Sequence, residues 1–180
     1  VMLAYTFLGG FLAVSWSDVL QGSLMFFALV IVAGLGISMA GGLESTFARL
    51  DALDPDLLDP FVADEGRRLG WIGIASLLAW GIGYVGQPHI LARFMAARSA
   101  RHIEVARRVA MVWVVVVLIA AVMVGLAGRL VLPEPLRGTD TEKVFIVMAT
   151  MFLHPAVAGF CLAGVMAAIM STASAELNSA

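Results

Sequence analysis

Apolar residues fall into long runs along this chain, separated by intervals that carry nearly all of its charge. A helix needs about 20 apolar residues to cross a hydrocarbon core about 30 Å thick. Runs near this length, repeated along 180 residues, predict an all-α polytopic membrane protein. The predicted spans are residues 1–14, 19–40, 70–92, 109–128 and 156–174.

Short polar stretches are the predicted connections between spans. Ser15–Asp18 is expected to be a turn with an interfacial tryptophan, so that the first two spans form an antiparallel pair. Near the other end of the chain, His154 and Pro155 divide an apolar segment. The pattern predicts a short interfacial helix, Val144–Leu153, ahead of the last span.

Charge location predicts the orientation of the spans. Residues 93–108 hold five arginines against the single acid Glu104, and they form a short interval flanked by spans. Short loops rich in Lys and Arg are retained in the cytoplasm, so this interval is predicted to be cytoplasmic, as is the Ser15–Asp18 turn. The predicted external loops are residues 41–69, which are acidic and contain prolines, and residues 129–143.

Composition agrees with a membrane protein. Hydrophobic residues make up 61% and charged residues 13%, which is too apolar for a soluble domain of this size. Membrane lipid is therefore the expected surrounding. The lack of a basic run with interleaved aromatics argues against a nucleic-acid partner. Cys161 is the only cysteine, which excludes an internal disulfide and a cysteine-based metal cluster. Because the first residues are already apolar, the chain is expected to be an internal piece of a longer membrane protein.

One predicted span contains a stretch that disfavours a smooth helix. Within Trp80–Arg93, the residues Gly81, Gly83 and Gly86 weaken helix propensity, and Pro88 lacks an amide donor. In lipid, a helix break is tolerated where the freed backbone groups are buried in protein or line a watery cavity, as in the discontinuous helices of secondary transporters. The stretch therefore predicts a transporter substrate site.

Two aromatic residues precede this predicted break. Trp80 and Tyr84 are four positions apart and share a face if the helix persists between them. They can line a pocket for a small solute, or they can be ordinary interfacial aromatics. Gln87 and His89 are weaker candidates, because a polar residue beside a kink usually satisfies freed backbone groups.

A second candidate site lies in the last span. Ala168, Ser171 and Thr172 stand at i, i+3 and i+4, so that one backbone carbonyl and two hydroxyls can point to one side of the helix. A small alkali cation binds such neutral oxygens. From the residues alone, the favoured interpretation is that these hydroxyls bond back to their own helix or join helices.

Two acidic residues outside the polar intervals are Asp18 and Glu176. Carboxylates inside a membrane are by default functional candidates. Both lie near predicted cytoplasmic ends, however, and are interpreted as solvated. The sequence contains no Ser-His-Asp arrangement, His-x-x-x-His pair or phosphate-binding loop, which argues against an enzyme.

Three motifs together carry a resemblance to a known family. They are Tyr5–Asp18, Trp80–Ala96 with its Gly-Gln-Pro-His run, and Ala167–Ser174 with its Ser-Thr pair. The chain resembles bacterial members of the sodium:solute symporter family over essentially its whole length. This resemblance implies a core of ten helices in two inverted five-helix repeats, of which the chain would hold helices four to eight.

The resemblance also implies a function. It points to sodium-coupled import of L-proline across the plasma membrane, with Na+ as the coupling ion. The positions that match substrate-binding residues of the family are Trp80, Tyr84 and Pro88. The positions that match sodium ligands are Ala168, Ser171 and Thr172.

Other functions remain open from the sequence. The transported molecule can be another small organic solute. The same membrane module can also be the sensory input of a signalling protein, which a kinase or receiver domain further along the chain would reveal. A membrane-embedded hydrolase is the weakest alternative, because the segment shows no catalytic acid or nucleophile.

Overall fold

Helices dominate the computed structural model. It describes residues 2–62, 67–84, 86–134, 136 and 138–179, with side chains except at positions 2–8, 80, 89, 178 and 179. The α-helices are α1 Met2–Met39, α2 Leu43–Leu53, α3 Trp71–Tyr84, α4 Pro88–Met95, α5 Ala100–Val131, α6 Val144–Phe152 and α7 Pro155–Ser179. In the part of the chain that the structure describes, 3₁₀ turns cover Pro55–Leu58 and Gly138–Lys143.

Among the described residues, three helices are long and apolar enough to cross a membrane, judged by length and composition. They are Gly9–Met39 within α1, Ala100–Val131 and Pro155–Leu177. The broken segment is divided between α3, which has 14 residues, and α4, which has eight. Helix α6 begins and ends close to the predicted short helix, and α7 starts at Pro155 as the His-Pro pair indicated.

The first predicted turn is wrong. Helix α1 runs straight through Ser15–Asp18, and its one non-helical residue is Gly10, with φ 55° and ψ −153°. The polar residues do not need an interface, because Ser15 Oγ donates to the Phe11 carbonyl at 2.8 Å and Ser17 Oγ to the Val14 carbonyl at 2.9 Å. Such bonds to the preceding turn hide a hydroxyl inside a helix.

The polar interval 93–108 is largely helical. It contains the end of α4, a short connection and the first turns of α5, where Ser99 precedes the first helical residue. Four of the five arginines therefore lie on helices, and Arg98 lies in the short connection between α4 and α5.

The core lies where α1 packs against α7 and α5, with α6 alongside. Glycines permit the close approach: a methyl group at Gly164 would lie 2.9 Å from Ala28 Cβ, and one at Gly36 would lie 2.7 Å from Met148 Cε. Small residues at such crossings are typical of helix packing in membranes. Cys161 in α7 lies near the Ala28 carbonyl of α1. Ser171, ten positions later in α7, contacts Asp18, ten positions earlier in α1. The two helices are therefore antiparallel.

Helix α2 folds back against the end of α1. Gly41 and Gly42 both have φ near 95°, a region that favours glycine, and they end α1. Arg49 Nη1 then donates to the carbonyl of Ala40 at 3.2 Å. With Leu50 buried, α2 packs against this end of α1 and against α5.

Helix α3 makes at most marginal contact with the other described helices. Most of its described apolar side chains are exposed, among them Trp71, Ile72, Leu78 and Ile82, each at least two-thirds accessible. A surface of this kind requires lipid or further helices to cover it.

Candidate functional site

The predicted break in the third apolar run is confirmed. Because Pro88 has no N–H, it cannot donate to the Tyr84 carbonyl in the usual helical pattern. The Gln87 N–H instead reaches that carbonyl at 3.4 Å, and the Gly86 N–H reaches the Gly83 carbonyl at 3.3 Å. Gln87 itself is extended, with φ −72° and ψ 131°, as expected for a residue before proline.

The break leaves backbone oxygens with weak partners. Both hydrogen bonds around it are long, and the Gly83 carbonyl, bonded at 3.3 Å, keeps capacity to accept another donor. Pro88 then occupies the first position of α4, where its fixed φ favours a new helix. The chain thus interrupts one apolar run with a short polar backbone segment.

The predicted substrate residues surround this segment in sequence. Trp80 and Tyr84 both belong to the uninterrupted helix α3, as their shared face requires. The Tyr84 side chain is about half exposed, at 49%, and Pro88 is exposed. The Trp80 side chain lies outside the described residues. The substrate role of all three residues stays a prediction.

The three predicted sodium ligands lie in α7 with different partners. Thr172 Oγ1 donates to the Ala168 carbonyl at 3.2 Å, which is the back-bonding alternative. Ser171 Oγ instead donates to Asp18 Oδ1 in α1 at 2.8 Å. Ser174 Oγ donates to the Ser171 carbonyl at 3.0 Å. One of the two candidate hydroxyls is therefore oriented by another helix.

Asp18 is the functional candidate that the sequence interpretation misjudged. Its side chain is only 14% exposed, and its second oxygen, Oδ2, lies 2.6 Å from Arg93 Nη2. The expectation that it is solvated at a helix end is wrong, because α1 continues through this position. The available signal was an ionisable residue within an apolar helix, which by itself marks a candidate functional position.

Gln21 lies one helical turn beyond Asp18 on the same face of α1. Its side-chain carbonyl oxygen is buried and has no hydrogen-bond partner among the described residues. A buried acceptor in this state requires a donor, a water or a cation.

A largely apolar cavity of about 290 Å³ lies next to this network. It is open on one side and lined by residues of α1, α5, α6 and α7, among them Ala168 and Gly164. Glu142 is the acidic residue in its lining. On α7, Gly164 therefore packs against α1, and Ala168, one of the candidate ion ligands, lines this space between helices.

Comparisons with known proteins give a consistent result. The model of the sodium:solute symporter family matches residues 1–180. The chain is 43% identical over 180 residues to the "High-affinity proline transporter PutP" of Bacillus subtilis, and 42% identical over 178 residues to the "Osmoregulated proline transporter OpuE" of the same organism. It is also 43% identical over 178 residues to a "Sodium/proline symporter" of Staphylococcus aureus.

These alignments include 98% of this chain but only 34% to 37% of the relatives. The chain therefore spans about a third of the length of the curated relatives it matches. No solved structure matches the chain.

Proposed function

Because the chain belongs to the sodium:solute symporter family, we propose that the whole protein is a multi-pass plasma-membrane transporter that imports proline together with Na+. The similarity to three proline transporters along nearly the entire chain supports this proposal. The structural observation that carries it is a broken apolar helix near a buried, oxygen-rich contact between α1 and α7.

The sodium site is proposed to use Ala168, Ser171 and Thr172. Because the Ser171 hydroxyl gives its hydrogen to Asp18, both of its lone pairs remain available to a cation. Within α7 the Ala168 carbonyl accepts the helical N–H of Thr172 and the long bond from the Thr172 hydroxyl, and a cation would take the lone pair that this long bond occupies. A hard monovalent cation matches this set of oxygens.

The substrate site is proposed at the break between α3 and α4. The carboxylate and ammonium groups of an amino acid need polar partners, which weakly bonded backbone at a helix break can supply. The rings of Trp80 and Tyr84 would cover the apolar ring of proline, and Pro88 would keep the break open. Two inverted five-helix repeats would move against each other to expose this site alternately.

Uptake measurements test the proposal. In the full-length protein reconstituted in vesicles, proline uptake should require an inward sodium gradient. Trp80→Ala and Tyr84→Ala should each weaken proline affinity by roughly 1 to 3 kcal/mol, about 5- to 150-fold, because each removes aromatic burial. Trp16→Ala removes an exposed aromatic side chain from α1 and is the control.

Three other outcomes would be informative. Unchanged proline affinity in both variants would show that the substrate site does not include these rings. Sodium-driven uptake of a different solute would retain symport and replace the substrate. Uptake that ignores the sodium gradient would contradict the proposal as a whole.

A further inference from the structure

Asp18 joins three segments that lie far apart in sequence. It belongs to α1, its Oδ1 accepts a hydrogen bond from Ser171 in α7, and its Oδ2 pairs with Arg93 in α4. The two distances, 2.8 Å and 2.6 Å, are those of charge-assisted hydrogen bonds. One carboxylate thus connects a proposed sodium ligand to the helix that begins at the break.

The Ser171 bond sets the direction of the hydroxyl group. With its hydrogen held by a carboxylate, the Ser171 oxygen is more electron-rich and presents its lone pairs away from Asp18. Carboxylates that hydrogen-bond a metal ligand orient it and raise its basicity in the same way. A cation on Ser171 would in turn favour this hydroxyl orientation and strengthen the bond to Asp18.

The bond from Arg93 links the other oxygen of Asp18 to helix α4. Helix α4 has only eight residues, and Arg93 lies five positions after Pro88, where the helix begins. A short helix moves as a unit, so the position of Arg93 is tied to the shape of the break. Since Asp18 is 14% exposed, withdrawing Arg93 would leave a mostly buried carboxylate without its cation, which is unfavourable.

We propose that the Arg93–Asp18–Ser171 network couples the two sites: occupation of the α7 site favours the Arg93–Asp18 pair, and the pair holds α4 in the arrangement that binds substrate. Asp18 and Arg93 are then positioning residues, which contact neither ion nor substrate. This inference rests on the proposed sodium-coupled function and adds the path of coupling to it.

The experiment measures how strongly sodium tightens proline binding. The proline Kd of the purified full-length transporter is determined at low sodium and at saturating sodium. The Kd at low sodium divided by the Kd at saturating sodium is the sodium ratio. Asp18→Asn keeps an oxygen for Ser171 but removes the charge that pairs with Arg93. Arg93→Gln removes the opposite charge.

Each substitution is expected to reduce the sodium ratio by about 5-fold or more, with the low-sodium Kd nearly unchanged, because coupling energies of this size are typical. The double variant should behave like either single variant, because both remove the same interaction. Arg93→Lys should recover part of the ratio. A purely structural role would instead weaken binding at every sodium concentration.

The matched control is Arg108→Gln, which removes the same charge from the same polar interval. Arg108 pairs with Glu104 at 2.7 Å within α5, and both side chains are exposed. Its sodium ratio should equal that of the wild type.

The outcomes separate the two proposals. A normal ratio in both Arg93→Gln and Asp18→Asn, with sodium dependence intact in the wild type, would overturn the coupling network alone. Wild-type proline binding that ignores sodium would overturn the proposed function and this inference with it. If Asp18→Asn fails to fold, Arg93→Gln and Arg93→Lys decide the question.

Discussion

At the scale of residues, hydroxyl groups in the apolar helices differ in their acceptors. Ser15, Ser23 and Thr150 donate to carbonyls of their own helix, at 2.7 to 2.9 Å. Thr172 does the same at 3.2 Å, whereas Ser171 donates to another helix. A sequence gives the spacing of hydroxyls but not the acceptor that each one finds, so the distinct role of Ser171 could not be predicted.

Thr172→Ala tests whether this hydroxyl binds sodium. If it does, the variant should fold normally and require several-fold more sodium for half-maximal proline uptake, since no ligand replaces the lost oxygen. Because both ligands stabilise one conformation, high sodium should partly restore proline affinity. Thr150→Ala is the matched control, because it removes a back-bonded hydroxyl from α6.

If Thr172→Ala leaves the sodium dependence of proline uptake unshifted, this hydroxyl does not bind sodium and only packs helices. Ser174→Ala is unsuitable as a control, because Ser174 is fully buried and donates to the Ser171 carbonyl. Its loss would disturb a candidate ligand indirectly.

At the scale of elements, predictions succeeded where backbone chemistry dominates. Pro88 removes a donor in any environment, so the break after α3 followed from sequence alone. The turn predicted at Ser15–Asp18 rests on polarity alone. No turn forms there, because tertiary contacts and hydrogen bonds within the helix satisfy these polar groups. The actual irregularity is at Gly10, one glycine among the 18 in the sequence.

Gly164→Ala tests the crossing of α1 and α7. The new methyl group would lie 2.9 Å from Ala28 Cβ and 3.3 Å from Leu24 Cδ2, so the helices must separate. We expect destabilisation of roughly 1 to 3 kcal/mol. The measurement is thermal unfolding of the purified full-length protein.

Gly159→Ala in the same helix is the control for this substitution. A methyl group there meets no atom within 4 Å, so the gain in helix propensity, at most about 1 kcal/mol, should leave stability equal or higher. Equal stability of the two variants would show that the crossing tolerates a wider spacing.

At the scale of the whole molecule, Asp18, Arg93 and Ser171 meet from three helices and connect α1, α4 and α7. The orientation itself, the number of spans and the site roles stay predictions. The curated relatives that the chain matches are almost three times as long. The side-chain oxygen of Gln21 is buried and has no partner among the described residues, and it is a position where a further helix of such a protein would act.

Cysteine labelling tests the orientation. In the full-length protein, a cysteine replacing Arg101 should react only from the cytoplasm, and one replacing Asp56 only from outside, because arginine-rich connections are retained inside. Both positions are exposed and accessible to a reagent. Reaction of both from the same side would contradict the predicted topology.

The short helix α3 also has a consequence for biosynthesis. Its 14 residues extend about 21 Å, less than the roughly 30 Å of a hydrocarbon core. The translocation machinery selects segments by length and apolarity, and α3 on its own is short for this purpose. Stable integration of α3 therefore requires the residues after Pro88 or neighbouring helices made earlier. The interruption at the proposed substrate site thus makes this part of the chain depend on its neighbours during synthesis.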